Sequence, residues 1–83
     1  MIHVRVRLGV GLARLAPAPV VSLDLPDDAT VADALASLGA AQPDLAGPLH
    51  SALPVVGGEH AHRGRPLASG DEVALLMPIS GGT

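Results

Sequence analysis

Apolar and polar residues alternate strictly from Ile2 to Leu8, which sets Ile2, Val4, Val6 and Leu8 on one side of an extended chain and His3, Arg5 and Arg7 on the other. The pattern predicts a half-buried β-strand. Gly9 and Gly11 break it, Leu12 and Leu15 are placed to fold back over an edge of the core, and Pro17 and Pro19 keep the connection from pairing regularly. Alternation resumes from Val20 to Leu25, with Val21, Leu23 and Leu25 inward and Ser22 and Asp24 outward, until Pro26-Asp27-Asp28 ends it. At Thr30 the period changes. Thr30 reads as an N-cap with Asp33 three residues on, and Val31, Leu35 and Leu38 fall on one helical face that Gly39 is expected to terminate. Pro43 and Pro48 interrupt the stretch from Ala40 to Ala52, which predicts mostly loop, with Leu45 and Leu49 spaced for one short helical turn against the core. Leu53 to Val56 predicts a short strand, Gly57-Gly58 a turn or bulge, and Glu59 to His62 another short strand ended by Arg63-Gly64-Arg65-Pro66. Ala68-Ser69-Gly70-Asp71 predicts a tight turn in which Asp71 bonds the local backbone, and Glu72 to Met77 the last strand. These periods describe an α+β domain with one helix across the strands, since neither layer hides its apolar side alone.

Composition sharpens this picture by exclusion. Eighty-three residues permit one domain, and the absence of Phe, Tyr and Trp leaves the core to Val, Leu, Ile, Ala and Met, which bury less area per residue than aromatics. With no cysteine there is no disulfide, thiolate metal site or nucleophilic thiol, so any sulfur chemistry must be carried by something other than a side-chain thiol. The net charge is −3, and the five arginines form no basic run, which argues against nucleic acid as a partner. There is no lysine, so the side chains offer no amine for self-conjugation. No apolar run is long enough to cross a bilayer and none resembles a signal segment; the expectation is a cytoplasmic protein with no membrane partner. Gly9 and Gly11 lack the Gly-Lys-Ser/Thr of a phosphate loop. His60 and His62 would project about 7 Å apart from one face of a strand, but without a third ligand at usable spacing they read as exposed histidines, and no metal is expected.

The most informative stretch is the last. Apolar residues run out of Gly70-Asp71-Glu72-Val73 through Leu75, Leu76 and Met77, meet Pro78, which has no N–H to give a ladder, and give way to Ile79-Ser80-Gly81-Gly82-Thr83. A folded body at residues 1–78 is expected to end there and a flexible tail at 79–83 to begin. Two glycines without Cβ atoms let a backbone lie extended in a narrow channel, with the Gly82 carbonyl reachable from several sides. Gly70-Asp71-Glu72-Val73-Ala74, an apolar run, a proline and then Gly81-Gly82 together resemble the C-terminal signature of the small ubiquitin-like sulfur carriers. That group includes the small subunit of molybdopterin synthase and the thiamine-pathway carrier; the chain length is nearer the former. Similarity is weaker elsewhere: the alternating first strand, the threonine-capped helix, and Pro66-Leu67 ahead of the Gly-Asp turn.

The resemblance implies a β-grasp fold, in which the last strand inserts parallel to the first and puts the tail at one open end of a mixed sheet. It implies a carrier rather than an autonomous enzyme, with no bound cofactor. An E1-like adenylating partner spends ATP to form a mixed anhydride at the terminal glycine, sulfur from a persulfide displaces AMP, and the thiocarboxylate is delivered to a second partner. For a molybdopterin synthase small subunit that partner is the large subunit and the acceptor is precursor Z. By this reading Gly82 carries the sulfur, Pro78, Ile79, Ser80, Gly81 and Gly82 form the inserted arm, and Leu75 and Met77, or Leu76, meet the partner, depending on which parity faces out. One departure has a chemical consequence. The resembling families end at the second glycine, whereas Thr83 here holds the Gly82 carbonyl in a peptide bond, so a peptidase is expected to remove Thr83. Two alternatives use the same residues differently: a carrier feeding cysteine, thiamine or secondary-metabolite synthesis, and a non-carrier β-grasp interaction module, which Thr83 favours.

Overall fold

The structure is a computed structural model that describes residues 1–15 and 18–77. Strand β1, Ile2–Leu8, buries every second residue as its alternation predicts. A four-residue helix α1, Val10–Ala13, follows directly, and Leu12 from it is fully buried, whereas Leu15 is exposed and covers no core. Strand β2, Val20–Leu25, returns antiparallel to β1, with Val4 opposite Leu23 and Val6 opposite Val21.

Helix α2, Val31–Ala41, opens with a complete capping box, in which the Thr30 hydroxyl accepts from the Asp33 N–H and the Asp33 carboxylate accepts from the Thr30 N–H at 2.9 Å. Its next orphan donors are met by backbone: the Val31 and Ala32 N–H groups reach the Arg65 and Arg63 carbonyls at 3.0 and 2.8 Å. Val31, Ala34, Leu35 and Leu38 form the buried stripe. The helix does not stop at Gly39. It continues to Ala41, and Gln42 caps it through an N–H bond to the Leu38 carbonyl at 2.8 Å. The terminator is Pro43, which disfavours helical geometry at the residue before it; Gly39 instead leaves room for Ala46 and Leu49 to pack against the helix.

The segment expected to be mostly loop contains two 3₁₀ turns, Pro43–Leu45 and Pro48–His50, which bury Leu45 and Leu49. A single remote side chain holds this segment: Nη2 of Arg63 donates to the carbonyls of Leu49 and His50 at 3.1 and 3.2 Å. Strand β3, Leu53–Val56, turns at Gly57-Gly58 into β4, Glu59–His60. Both glycines have positive φ, 61° and 81°, the combination that two-residue hairpin turns of the primed type require. The strand expected over Glu59 to His62 is thus only two residues long, with His62 beyond it.

Strand β5, Glu72–Leu76, lies parallel to β1 and antiparallel to β3, giving one mixed sheet in the order β2-β1-β5-β3-β4. The two central strands contribute the fully buried Val6, Val73 and Leu75, and α2 crosses the same side of the sheet. No polar side chain is buried among the described residues. This is the β-grasp arrangement, and it delivers the end of β5 beside the end of β1.

Candidate functional site at the end of the last strand

The expected tail, Ile79, Ser80, Gly81, Gly82 and Thr83, lies outside the described residues, as do Pro78, the first residue of the expected arm, and Pro17. What the structure describes is the base from which that tail starts. β5 leaves the Asp71 turn, where the Ala68 N–H donates to Asp71 Oδ2 at 2.8 Å and the Asp71 N–H to the Ala68 carbonyl at 3.0 Å, so Asp71 bonds its own turn as its position predicts. The strand then alternates: Val73 and Leu75 point into the core, and Glu72, Ala74 and Leu76 point outward.

This settles the parity at the site. Leu75 is fully buried in the central strand as part of the core, so of the two parities expected to face out it is that of Leu76 that β5 turns to solvent. Leu76 is 48 % exposed and Met77 37 % exposed. Both parities are therefore represented, because the strand ends at Leu76 and Met77 lies beyond the ladder. Opposite Leu76 in the β3 register stands Leu53, itself 40 % exposed, and beside them Val55 pairs with Ala74. Three large apolar side chains are left in solvent at the point where the tail begins.

A polar pair borders this patch. Arg7 Nε donates to Glu72 Oε1 at 2.9 Å across the parallel β1–β5 pair. That hydrogen bond, reinforced by the opposite charges, raises the Arg7 pKa and holds the Glu72 carboxyl below the usual glutamate range. Farther along the same face, His3 contacts Asp24.

Sequence reasoning missed Leu53, Gly9 and Gly11. Leu53 was visible as a strand residue, but only the register places it against Leu76. Gly9 and Gly11 read as strand breakers. In the fold the Gly9 N–H donates to the Leu75 carbonyl at 2.9 Å, extending the β1–β5 ladder by one bond, and Gly11 faces Met77. Among the described residues no three His, Asp or Glu side chains are grouped to hold a metal ion, and His60 and His62 are both exposed. No helix among them is long and apolar enough to cross a membrane.

The family follows from comparison with known proteins. Residues 12–82 match the ThiS family. The chain belongs to that family of ubiquitin-like sulfur carriers. Small archaeal modifier protein 1 of Haloferax volcanii is 40 % identical over 84 residues, covering 92 % of this chain and 97 % of that one. Its crystal structure superposes with a TM-score of 0.88 at 35 % identity, over 96 % of this chain and 99 % of that chain. Two further structures share the fold at lower identity. A putative molybdopterin converting factor subunit 1 from Pyrococcus furiosus is 18 % identical, with TM-score 0.86 over 95 % of this chain and 100 % of that one. The complex of subunits 1 and 2 of the molybdopterin-converting factor from Helicobacter pylori contains a match of 20 % identity and TM-score 0.69, over 98 % of this chain and 100 % of that one.

Proposed function

We propose that this chain carries sulfur as a thiocarboxylate on Gly82, generated after Thr83 is removed. The observation that supports the reading most is the base of the tail. β5 is anchored by the buried Leu75, ends at the exposed Leu76 and Met77, and leads within a few residues into Gly81-Gly82. The family match also stops at Gly82 and leaves Thr83 outside.

The chemistry balances as follows. Water cleaves the Gly82–Thr83 amide in a peptidase and frees the glycine carboxylate. That carboxylate attacks the α-phosphorus of ATP on an adenylating partner, giving the acyl adenylate and releasing pyrophosphate. A persulfide sulfur attacks the acyl carbon and AMP leaves, forming an acyl disulfide; a thiol then reduces its S–S bond and releases the thiocarboxylate. Every catalytic group belongs to a partner. The chain contributes a glycine terminus free of Cβ atoms and, where β5 ends, an apolar docking patch of Leu53, Leu76 and Met77.

The acceptor we favour is the large subunit of molybdopterin synthase. The Helicobacter pylori neighbour, whose fold this chain shares, is a complex of molybdopterin-converting factor subunits 1 and 2, and an exposed apolar patch at the tail base suits such a subunit contact. A second reading has its own support, because the Haloferax volcanii relative at 40 % identity is called a modifier protein. In that case the same acyl adenylate is transferred to an amine of a target protein instead of to sulfur.

The test uses two purified forms, ending at Gly82 and at Thr83, incubated with the cognate adenylating enzyme, ATP and a persulfide donor, and weighed intact. The Gly82 form should gain the mass of sulfur replacing oxygen, and the Thr83 form should not. Direct sulfur gain by the Thr83 form at the same rate would end the processing step. Transfer of the thiolated form's sulfur to precursor Z by the large subunit, compared with covalent attachment to lysine-bearing proteins, separates the two acceptor readings.

A further inference from the structure

Gly9 and Gly11 sit where the body hands over to the tail, and neither has an ordinary reason to be glycine. Gly9 has φ −67° and ψ 172°, a conformation any residue adopts, so its backbone does not call for the missing side chain. Space does. A Cβ on Gly9 would lie 2.9 Å from the Leu75 carbonyl oxygen, closer than real Cβ contacts come, with the Leu76 Cα at 3.7 Å. The same carbonyl accepts the Gly9 N–H at 2.9 Å, so close approach and hydrogen bond are two sides of one contact. Gly11 occupies an exposed position inside α1, where glycine is among the least favourable residues, and a Cβ there would stand 3.6 Å from Met77 Cγ. The turn between them is firmly held: the Leu12 and Ala13 N–H groups both reach the Gly9 carbonyl, and Leu12 is fully buried.

Resting on the sulfur-carrier reading, we propose that Gly9 and Gly11 are positioning residues for the tail. Gly9 fixes the last backbone unit of β5, from which the chain continues through Met77 to Gly82. Gly11 keeps the α1 side of Met77 bare, so that the lip of the adenylating partner's channel rests on the α1 turn as it takes up the tail. A stability-only role for Gly11 runs against its chemistry, since almost any other residue would favour the helix more.

The experiment uses full-length chains trimmed to Gly82 and measures steady-state adenylation with the cognate enzyme, together with thermal melting and amide shifts of Leu75 to Met77. Gly11→Glu should melt at or above the parent temperature yet raise KM about tenfold or more with kcat unchanged, as expected when a side chain intrudes on a packed contact. Gly11→Ala, which adds a methyl 3.6 Å from Met77 Cγ, should raise KM in the same direction by a smaller factor, about twofold, with kcat unchanged. Gly9→Ala should fold, shift the Leu75 and Leu76 amides and lower kcat, because docking survives while the terminus is misaimed. An unchanged KM in Gly11→Glu, or an unchanged kcat in a Gly9→Ala chain whose amides have shifted, overturns the proposal. If Gly9→Ala does not fold, the Gly11 pair alone decides. A parent chain that is never adenylated would instead sink the carrier reading, and the two failures are thereby told apart.

Discussion

Gly70 adopts φ 92°, a region that side chains with a Cβ rarely enter, and nothing lies within 4 Å of where its Cβ would be. The expected cost of Gly70→Ala is therefore purely conformational, about 1 kcal/mol, read as a lower urea midpoint at constant m-value. Gly47 makes the opposite case. Its φ of −66° and ψ of −57° are helical and its surroundings are open, so Gly47→Ala should stabilise by roughly 0.5 kcal/mol through the unfolded chain. At Glu72 the residue-scale effect is electrostatic. Arg7 lowers the Glu72 pKa first by its hydrogen bond and then by its charge, so the folded state favours the ionised carboxylate. That stabilisation is complete above the ordinary glutamate range and is lost as pH falls through the depressed folded value. Titration of the Glu72 carboxyl by NMR should give a midpoint below that of a free glutamate, moving back towards it in Arg7→Gln. Because the pair is exposed, the stability change should be small and should shrink with added salt.

At the scale of elements, α2 is fixed at its start more than at its end. Thr30 and Asp33 cap each other, and the Arg63 and Arg65 carbonyls take the next two N–H groups, so the helix N-terminus is tied to the loop that precedes β5. Thr30→Ala should cost about 1 kcal/mol in chemical denaturation. Within β5 the contrast falls between neighbours. Leu75→Ala opens a cavity in the centre of the core and should cost about 2–5 kcal/mol, whereas Leu76→Ala should change stability by less than about 0.5 kcal/mol. If the patch is the docking surface, Leu76→Ala should nevertheless weaken engagement of the adenylating enzyme, measured as a higher KM.

At the scale of the whole molecule, the described residues form one body, and the group proposed to react, at Gly82, lies beyond them. The core contains no aromatic ring and, among the described residues, no buried polar group, so it is held by interdigitated aliphatic side chains from the sheet and α2. Among the described residues, three of its five exposed large apolar side chains, Leu53, Leu76 and Met77, lie at the C-terminal end of β5, the end that leads into Gly81-Gly82; Met1 and Leu15 are the other two. Gly81→Ala and Gly82→Ala are expected to leave the melting temperature unchanged while impairing adenylation, because the added methyl obstructs a partner's channel rather than the domain. Calorimetry beside the activation assay checks both halves of that expectation.

Much of this was legible in the chain because its local signals agree with its tertiary context. Strict alternation in β1 and β2, the Thr30–Asp33 cap, the Asp71 turn and the tail signature each rest on residues adjacent in sequence, and local chemistry is enough to specify them. The sequence signals failed where distant residues decide. Gly39 looked like a helix end, but Ala46 and Leu49 pack beside it and Pro43 moves the end to Ala41; the 40–52 segment gained its two turns under the hold of Arg63. The sequence by itself determined that β5 has one buried and one exposed parity and that a Gly-Gly pair follows it. Only the tertiary structure decided that Leu75 is the buried one, that Leu53 stands against Leu76, and that Gly9 must lack a side chain, because each depends on the register between strands far apart in the chain.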